Sequence, residues 1–499
     1  MRAEFILAID QGTTGTTVLA FDRAGSLRAR GYAELPQHFP RPGWVEHRGE
    51  EIWGTTLRAL RVALRPFGGA RARIAAIGLT NQRETTLVWD RASSKPAAPA
   101  IVWQDRRTAE RCAALKRAGN EAEVSRRTGL KLDPYFSGTK LEWLLRNVGG
   151  LRARARRGRL AFGTVDSWLL WRLTGGRAHA TDATNASRTL LYDIRRHRWD
   201  PDLLRLFGVP DSMLPEVRPS RADFGVTRGV PGLPDDVPVL GIAGDQQAAL
   251  FGQGCVEAGG LKNTYGTGCF LLLHTGSKLV RSRSGLLTTI ACGPRGEPRY
   301  ALEGSVFIAG AAIQWLRDGL GILKSAEQSE ALARQVPDAG GTILVPAFAG
   351  LGAPYWRPEA RGIWCGLTRG TTRAHLIRAA LESIAYQSRD LVEAMERESG
   401  VGVRVLRVDG GASLNAFLMQ FQADLLGIRI ARPGLVETTA LGAALLAGIG
   451  TGWWKRSTEL RALRGGRREF RPRMRRAERD RLYRGWKDAV GVLLGAGSP

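Results

Sequence analysis

Three stretches of this chain carry residue types that could grip a polyphosphate. Asp10-Gln11-Gly12-Thr13-Thr14-Gly15 follows an apolar run near the N-terminus, Thr264-Tyr265-Gly266-Thr267-Gly268 lies at mid-chain, and Asp409-Gly410-Gly411-Ala412 comes late. Glycine lets backbone N–H groups come close to phosphate oxygens, and threonine hydroxyls add donors. Asp10 would stand at the end of a strand, where a carboxylate can hold Mg²⁺ through water, because that ion dehydrates reluctantly. One Gly-rich tip alone is an ordinary tight turn; two tips and a third loop shift the reading to a phosphate site. Other common nucleotide loops are missing. There is no Gly-Lys dipeptide, no G-x-G-x-x-G and no protein-kinase H-R-D.

A second constellation could handle a hydroxylated molecule. Asn81-Gln82-Arg83-Glu84 follows the apolar run Ile74–Leu79, at the strand end where α/β proteins place ligands. Arg83 and Glu84 read either as a surface ion pair of little worth or as ligands for hydroxyls. Asp245, in Gly244-Asp245-Gln246-Gln247, reads either as the cap of a helix over Gln246–Phe251 or as a general base. Residue chemistry by itself favours the cap. Trp103 suits core packing and a substrate wall equally, and His47 reads as structural.

The elements that must position these groups follow from periodicity. Phe5–Asp10, the turn Gln11–Gly15 and Thr16–Phe21 read as a β-hairpin; so do Leu261–Tyr265, Gly266–Gly268 and Cys269–Leu273. A third strand, Val405–Asp409, leads into the helical pattern Leu414–Leu426. Ile74–Leu79 and Val237–Ile242 read as buried strands, and Thr371–Glu396 as an amphipathic helix. Strands alternating with helices give an α/β fold. With 499 residues the chain exceeds one core, and two domains of related build are expected, 1–252 and 253–499, joined near Phe251–Ala258.

Composition sets further bounds. The net charge of +26 is mostly arginine scattered along the chain, which reads as solvated faces and not as a nucleic-acid site, since no nucleic-acid-binding motif accompanies it. Five cysteines without metal or C-x-x-C spacing fit reduced thiols, and the uncharged stretches Ala339–Trp356 and Thr438–Trp454 read as core, not as membrane spans. A cytoplasmic protein with no membrane insertion is the expectation.

The segments Ile9–Thr14, Pro42–His47, Thr80–Thr86, Asp133–Lys140, Thr184–Thr189, Gly241–Gln253, Asn263–Cys269, Gly366–Gly370, Arg407–Ala412 and Phe417–Gln422 together resemble the glycerol kinases of the FGGY carbohydrate-kinase family. The resemblance implies two actin-like (ribonuclease H-like) ATPase domains with the active site in the cleft between them. It implies ATP and Mg²⁺, with sn-glycerol 3-phosphate as product. It assigns the polyol to Arg83, Glu84, Tyr135, Asp245 and Gln246, with Trp103 and Phe270 as apolar walls. It assigns ATP to Thr13, Thr14, Gly266, Thr267, Gly310, Gln314, Gly411 and Asn415. It makes Asp245 the general base, with Asp10 (through water) and Asp245 beside the metal, and a homodimer or homotetramer the expected assembly.

Three departures stand out. Many members carry an arginine where this chain has Thr17, so one phosphate contact is expected to be missing. Some bacterial members bind a sugar bisphosphate through a Gly-Gly-Thr-Arg loop; here Pro231-Gly232-Leu233-Pro234-Asp235-Asp236 stands there, and that inhibition is expected to be absent. No histidine lies between His197 and His274, so control by loop-histidine phosphorylation is expected to be absent too. The rival readings are a pentulose kinase of the same family, a nucleic-acid-binding relative and a filament-forming one. Against the first, pentulose kinases more often show a Gln-Met-His type sequence where this chain has Asn81–Glu84.

Overall fold

The computed structural model describes residues 4–69, 73–357, 359–435, 437–455 and 466–495. Two sheets organise them. The first contains β1 (Glu4–Gln11), β2 (Gly15–Phe21), β3 (Leu27–Glu34), β4 (Arg73–Asn81) and β5 (Val239–Gly244), in the order β3-β2-β1-β4-β5. The β1–β2–β3 pairs are antiparallel, and β4 and β5 join in parallel.

The second sheet contains β6 (Leu261–Tyr265), β7 (Cys269–Gly276), β8 (Leu287–Cys292), β9 (Pro298–Val306), β10 (Val405–Asp409), β11 (Arg429–Pro433) and β12 (Arg467–Phe470). Its order is β8-β9-β7-β6-β10-β11-β12. The inner five strands β9-β7-β6-β10-β11 repeat the pattern of the first sheet: an antiparallel meander, then two parallel additions. Two copies of one topology, each opening with a phosphate-type hairpin, form the two-domain actin-like fold.

In the first sheet β1, β2, β4 and β5 are buried on both faces because helices cover both, whereas the edge strand β3 exposes Arg28, Arg30, Tyr32 and Glu34. Phe5, Leu7 and Ile9 pack with α1 (Gly49–Leu64). Ile6, Ala8, Ala76 and Ala243 pack with α7 (Thr438–Gly450), which comes from the second half of the sequence. The uncharged stretch around Thr438–Gly450 is therefore core, as its composition predicts. α7 also crosses α2 (Asp245–Gly252) so closely that a Cβ on Gly442 would lie 1.9 Å from the Ala248 carbonyl oxygen. Only glycine permits that approach, and it pins the two halves together at the base of the cleft.

Further helices are α3 (Gly310–Asp318), α4 (Gln328–Ala333), α5 (Arg373–Ser399), α6 (Ala416–Leu426) and α8 (Arg476–Gly495). Several boundaries differ from the sequence reading. α5 starts after Thr372, whose hydroxyl forms a reciprocal cap with His375, and stops at Gly400 with φ 71°. α6 starts at Ala416, not Leu414, because a separate turn, Gly411–Leu414, precedes it and the Asn415 side chain caps it by accepting from Leu418 N–H. β5 starts at Val239, after Pro238, which lacks the N–H a strand needs. The cap of α2 is Gly244, so Asp245 is its first residue and not its cap. None of the five cysteines forms a disulfide. Among the described residues, no helix is long and apolar enough to cross a membrane.

Candidate active site

Strand β4 delivers its chain end into the cleft. Glu84 there has φ 63°, a left-handed conformation that costs a non-glycine residue about 1–3 kcal/mol. The Ser137 and Thr86 hydroxyls hold it by donating to the Glu84 carbonyl, at 3.0 and 3.1 Å. The turn sends Arg83 and Glu84 inward, 3% and 1% exposed, which rules out the surface ion pair.

Four buried charges then alternate in sign. Arg83 donates to Glu303 at 2.6 and 3.2 Å, Arg188 donates to Glu303 at 2.8 Å, and Arg188 donates to Glu84 at 2.6 Å. Arg83 and Glu84 close the ring at 3.8 Å. Burial works against the charge of Arg83, but Glu303 and Glu84 outweigh it and hold its pKa above the ordinary value. Burial likewise opposes ionised Glu303, but Arg188 and Arg83 bring it down to about 2. Among the described residues the Glu84 carboxylate accepts one hydrogen bond, from Arg188, and burial wins there, raising it. The sequence reading missed Arg188 and Glu303. Arg188 lies within the matched segment Thr184–Thr189, whereas Glu303 is a lone acid in β9 with no motif around it.

Around this ring the polyol candidates converge. Arg83, Glu84, Trp103, Tyr135, Asp245, Gln246 and Phe270 line one pocket of about 50 Å³. Asp245 reaches Arg83 Nε at 3.2 Å and accepts from the Gln246 side-chain amide at 3.3 Å. Trp103 meets the Tyr135 ring edge-on, 5.6 Å between centroids. Thr13, expected on the nucleotide side, lines this pocket as well, and its hydroxyl accepts from the Trp103 indole at 2.9 Å. His47 is buried and held down to about 4 by burial and by His38, so it stays neutral and structural.

A larger cavity of about 570 Å³ lies on the second sheet's side of the cleft. Gly266, Thr267, Gly310, Gln314, Gly411 and Asn415 all line it, and α4 adds Ser329 and Glu330, which sequence reasoning missed. A Cβ on Gly310 would lie 2.6 Å from the Gly266 carbonyl oxygen, so the start of α3 sits directly against the hairpin. Thr14 lines neither cavity; it is exposed at the first hairpin tip, with its carbonyl accepting from Leu35 N–H at 2.9 Å.

Asp10, at the end of β1, is pushed up to about 7 by burial, with the charge of Asp245 adding to it. Among the described residues, no donor reaches its carboxylate. Two carboxylates that repel each other, one lacking any donor, are chemically suited to a divalent cation. Directly across from Asp10 on β2 stands Thr17.

Residues 5–252 match the N-terminal domain of the FGGY family of carbohydrate kinases, and residues 261–451 match its C-terminal domain. The chain belongs to the FGGY family of carbohydrate kinases. Within it, the chain is 54% identical to glycerol kinase 2 of Thermotoga maritima, over 99% of both chains. It is 55% identical to the glycerol kinase of Carboxydothermus hydrogenoformans, over 98% of both. The crystal structure of Plasmodium falciparum glycerol kinase with ADP superposes with a TM-score of 0.93 at 35% identity, covering 99% of this chain and 98% of that one. The crystal structure of ligand-bound xylulose kinase from Lactobacillus acidophilus shares the fold, TM-score 0.86 at 21% identity, covering 99% of this chain and 100% of that one.

Proposed function

We propose that this FGGY kinase transfers the γ-phosphoryl group of ATP to a terminal hydroxyl of glycerol, giving ADP and sn-glycerol 3-phosphate. The observation that carries this reading is the 50 Å³ pocket, small and lined by Arg83, Glu84, Tyr135, Asp245 and Gln246 with Trp103 and Phe270 as walls. Its charged and amide groups suit hydroxyls in one orientation, and its rings suit the C–H side. The full-length similarity to curated glycerol kinases supports the same acceptor.

In this reading the acceptor oxygen attacks the γ-phosphorus, the bond to the β-phosphate oxygen breaks and ADP leaves. Asp245 takes the hydroxyl proton; such a base contributes about 10²–10⁴-fold. Arg83 both binds the acceptor and holds Asp245 in place. The 570 Å³ cavity takes the adenosine side of the nucleotide, with Gly266, Thr267, Gly310, Gln314, Gly411 and Asn415 around it and Thr13 and Thr14 at the opposite hairpin. Asp10, through water, and Asp245 would hold Mg²⁺, which neutralises phosphate charge when bound. The division into 1–252 and 253–499 puts most polyol residues in the first domain and the large cavity in the second. The likeness to glycerol kinases supports a cytoplasmic homodimer or homotetramer. A coupled ADP-release assay with MgATP and glycerol, xylulose, ribulose, erythritol or no acceptor tests the reading. Glycerol-dependent turnover supports it, and turnover with another acceptor alone overturns the substrate.

A further inference from the structure

Lys262 lies where the acceptor pocket meets the second phosphate hairpin. It is fully buried in β6, which a lysine tolerates only with partners. Its ammonium donates to the Gln246 side-chain oxygen and, at 2.8 Å, to the Thr264 hydroxyl. Thr264, two residues on, shares its face of the sheet and stands opposite Phe270 of the pocket wall and beside Asp409. The charges acting on Lys262 are Asp409, Asp245, Arg83 and Glu303. Burial lowers it to about 8, and Asp409 and Asp245 oppose that shift.

An ammonium has donors only, whereas a carboxamide has one acceptor end and one donor end. Lys262 therefore fixes which way round Gln246 sits. The amide oxygen must face Lys262, and the NH₂ must face Asp245, to which it donates at 3.3 Å, and the pocket. We propose that Lys262 is a positioning residue for phosphoryl transfer, locking the Gln246 carboxamide so that its N–H donors face Asp245 and the acceptor hydroxyls. This rests on the reading of the pocket as the acceptor site. A lysine that merely filled the core would have no reason to act through Gln246.

The test compares Lys262→Met, Lys262→Arg, Gln246→Ala and the Lys262→Met/Gln246→Ala double variant. The acceptor is whichever of the polyols and ketoses above supports wild-type turnover, so a wrong acceptor assignment leaves this test intact. Lys262→Met is expected to lose about 10–100-fold in kcat/KM for the acceptor, as for loss of a charge-assisted hydrogen bond. The KM for ATP should move less than about threefold, because the bond to Gln246 is on the acceptor side and Thr264, the other partner, does not line the large cavity. Arginine, also donors only, should recover most of the loss. In the Gln246→Ala background the same lysine substitution should cost less than about threefold, the signature of two residues acting as one unit. Should Lys262→Met fail to fold, Lys262→Gln replaces it, since a glutamine can face the amide either way and releases the lock. A full-sized loss in the Gln246→Ala background, or near-normal kcat/KM in the methionine or glutamine variant, overturns the proposal.

Discussion

The indole N–H of Trp103 donates to the Thr13 hydroxyl at 2.9 Å, joining the acceptor pocket to the first phosphate hairpin. In the proposed reading a wall residue of the acceptor site thus holds the hairpin tip that faces the nucleotide. Trp103→Phe keeps an aromatic wall but removes the donor. Loss of one hydrogen bond of about 0.5–1.5 kcal/mol predicts a roughly 2–10-fold rise in KM for both glycerol and ATP. Steady-state kinetics on Trp103→Phe and Thr13→Val check this, and a rise confined to glycerol would assign Trp103 to packing alone.

Glu303 is the only residue of the buried charge ring that comes from the second sheet, and it receives both guanidinium groups. Glu303→Gln leaves Arg83 and Arg188 short of charge in a dry site. Breaking such a buried pair costs about 3–5 kcal/mol. Thermal unfolding should show a large drop in Tm, and the surviving enzyme should bind glycerol more weakly. An unchanged Tm would contradict the ring.

How much of this was legible in the sequence varies with range. The hairpin strand Leu261–Tyr265 and the strand Val405–Asp409 match their observed bounds, because turn glycines and apolar alternation act within a few residues. The α2 cap was misread because Asp is a common cap type, while the backbone places Gly244 there. Glu303 could not be found. It lies 220 residues from Arg83 in sequence, and no local signal marks an acid whose partners lie that far away. The resemblance assigns Thr13 to ATP, but its second contact, with the Trp103 indole in the small pocket, carries no local signal because the two residues lie 90 apart in sequence.

His47 is held down to about 4 by burial and by His38. A lowered folded value means the unfolded chain binds the proton first, near the ordinary value. The stability this neutral histidine permits is complete above about pH 6.5 and is lost as pH falls towards 4. Relative to wild type, His47→Gln should therefore gain about 2–3 kcal/mol between pH 7 and pH 4. Denaturant unfolding at both pH values measures it, and a pH-independent difference would contradict a neutral buried His47.

Arg228 pairs with Asp235 at 3.2 Å and with Asp236 at 2.6 Å, in the loop that the resemblance sets against a bisphosphate-binding segment. The local carboxylates already use that guanidinium and would repel a multiply charged anion. Fructose 1,6-bisphosphate should leave activity unchanged at sub-millimolar concentration, and dose-dependent inhibition would overturn this expectation.

The most direct test of the central claim is glycerol-dependent ADP release from MgATP by wild type and Asp245→Asn, measured side by side with glycerol binding. The account predicts strong turnover for wild type. For the variant it predicts near-normal glycerol affinity and a kcat about 10²–10⁴-fold lower, the contribution of a general base. Wild type inert towards glycerol, or Asp245→Asn turning over at close to the wild-type rate, would contradict it.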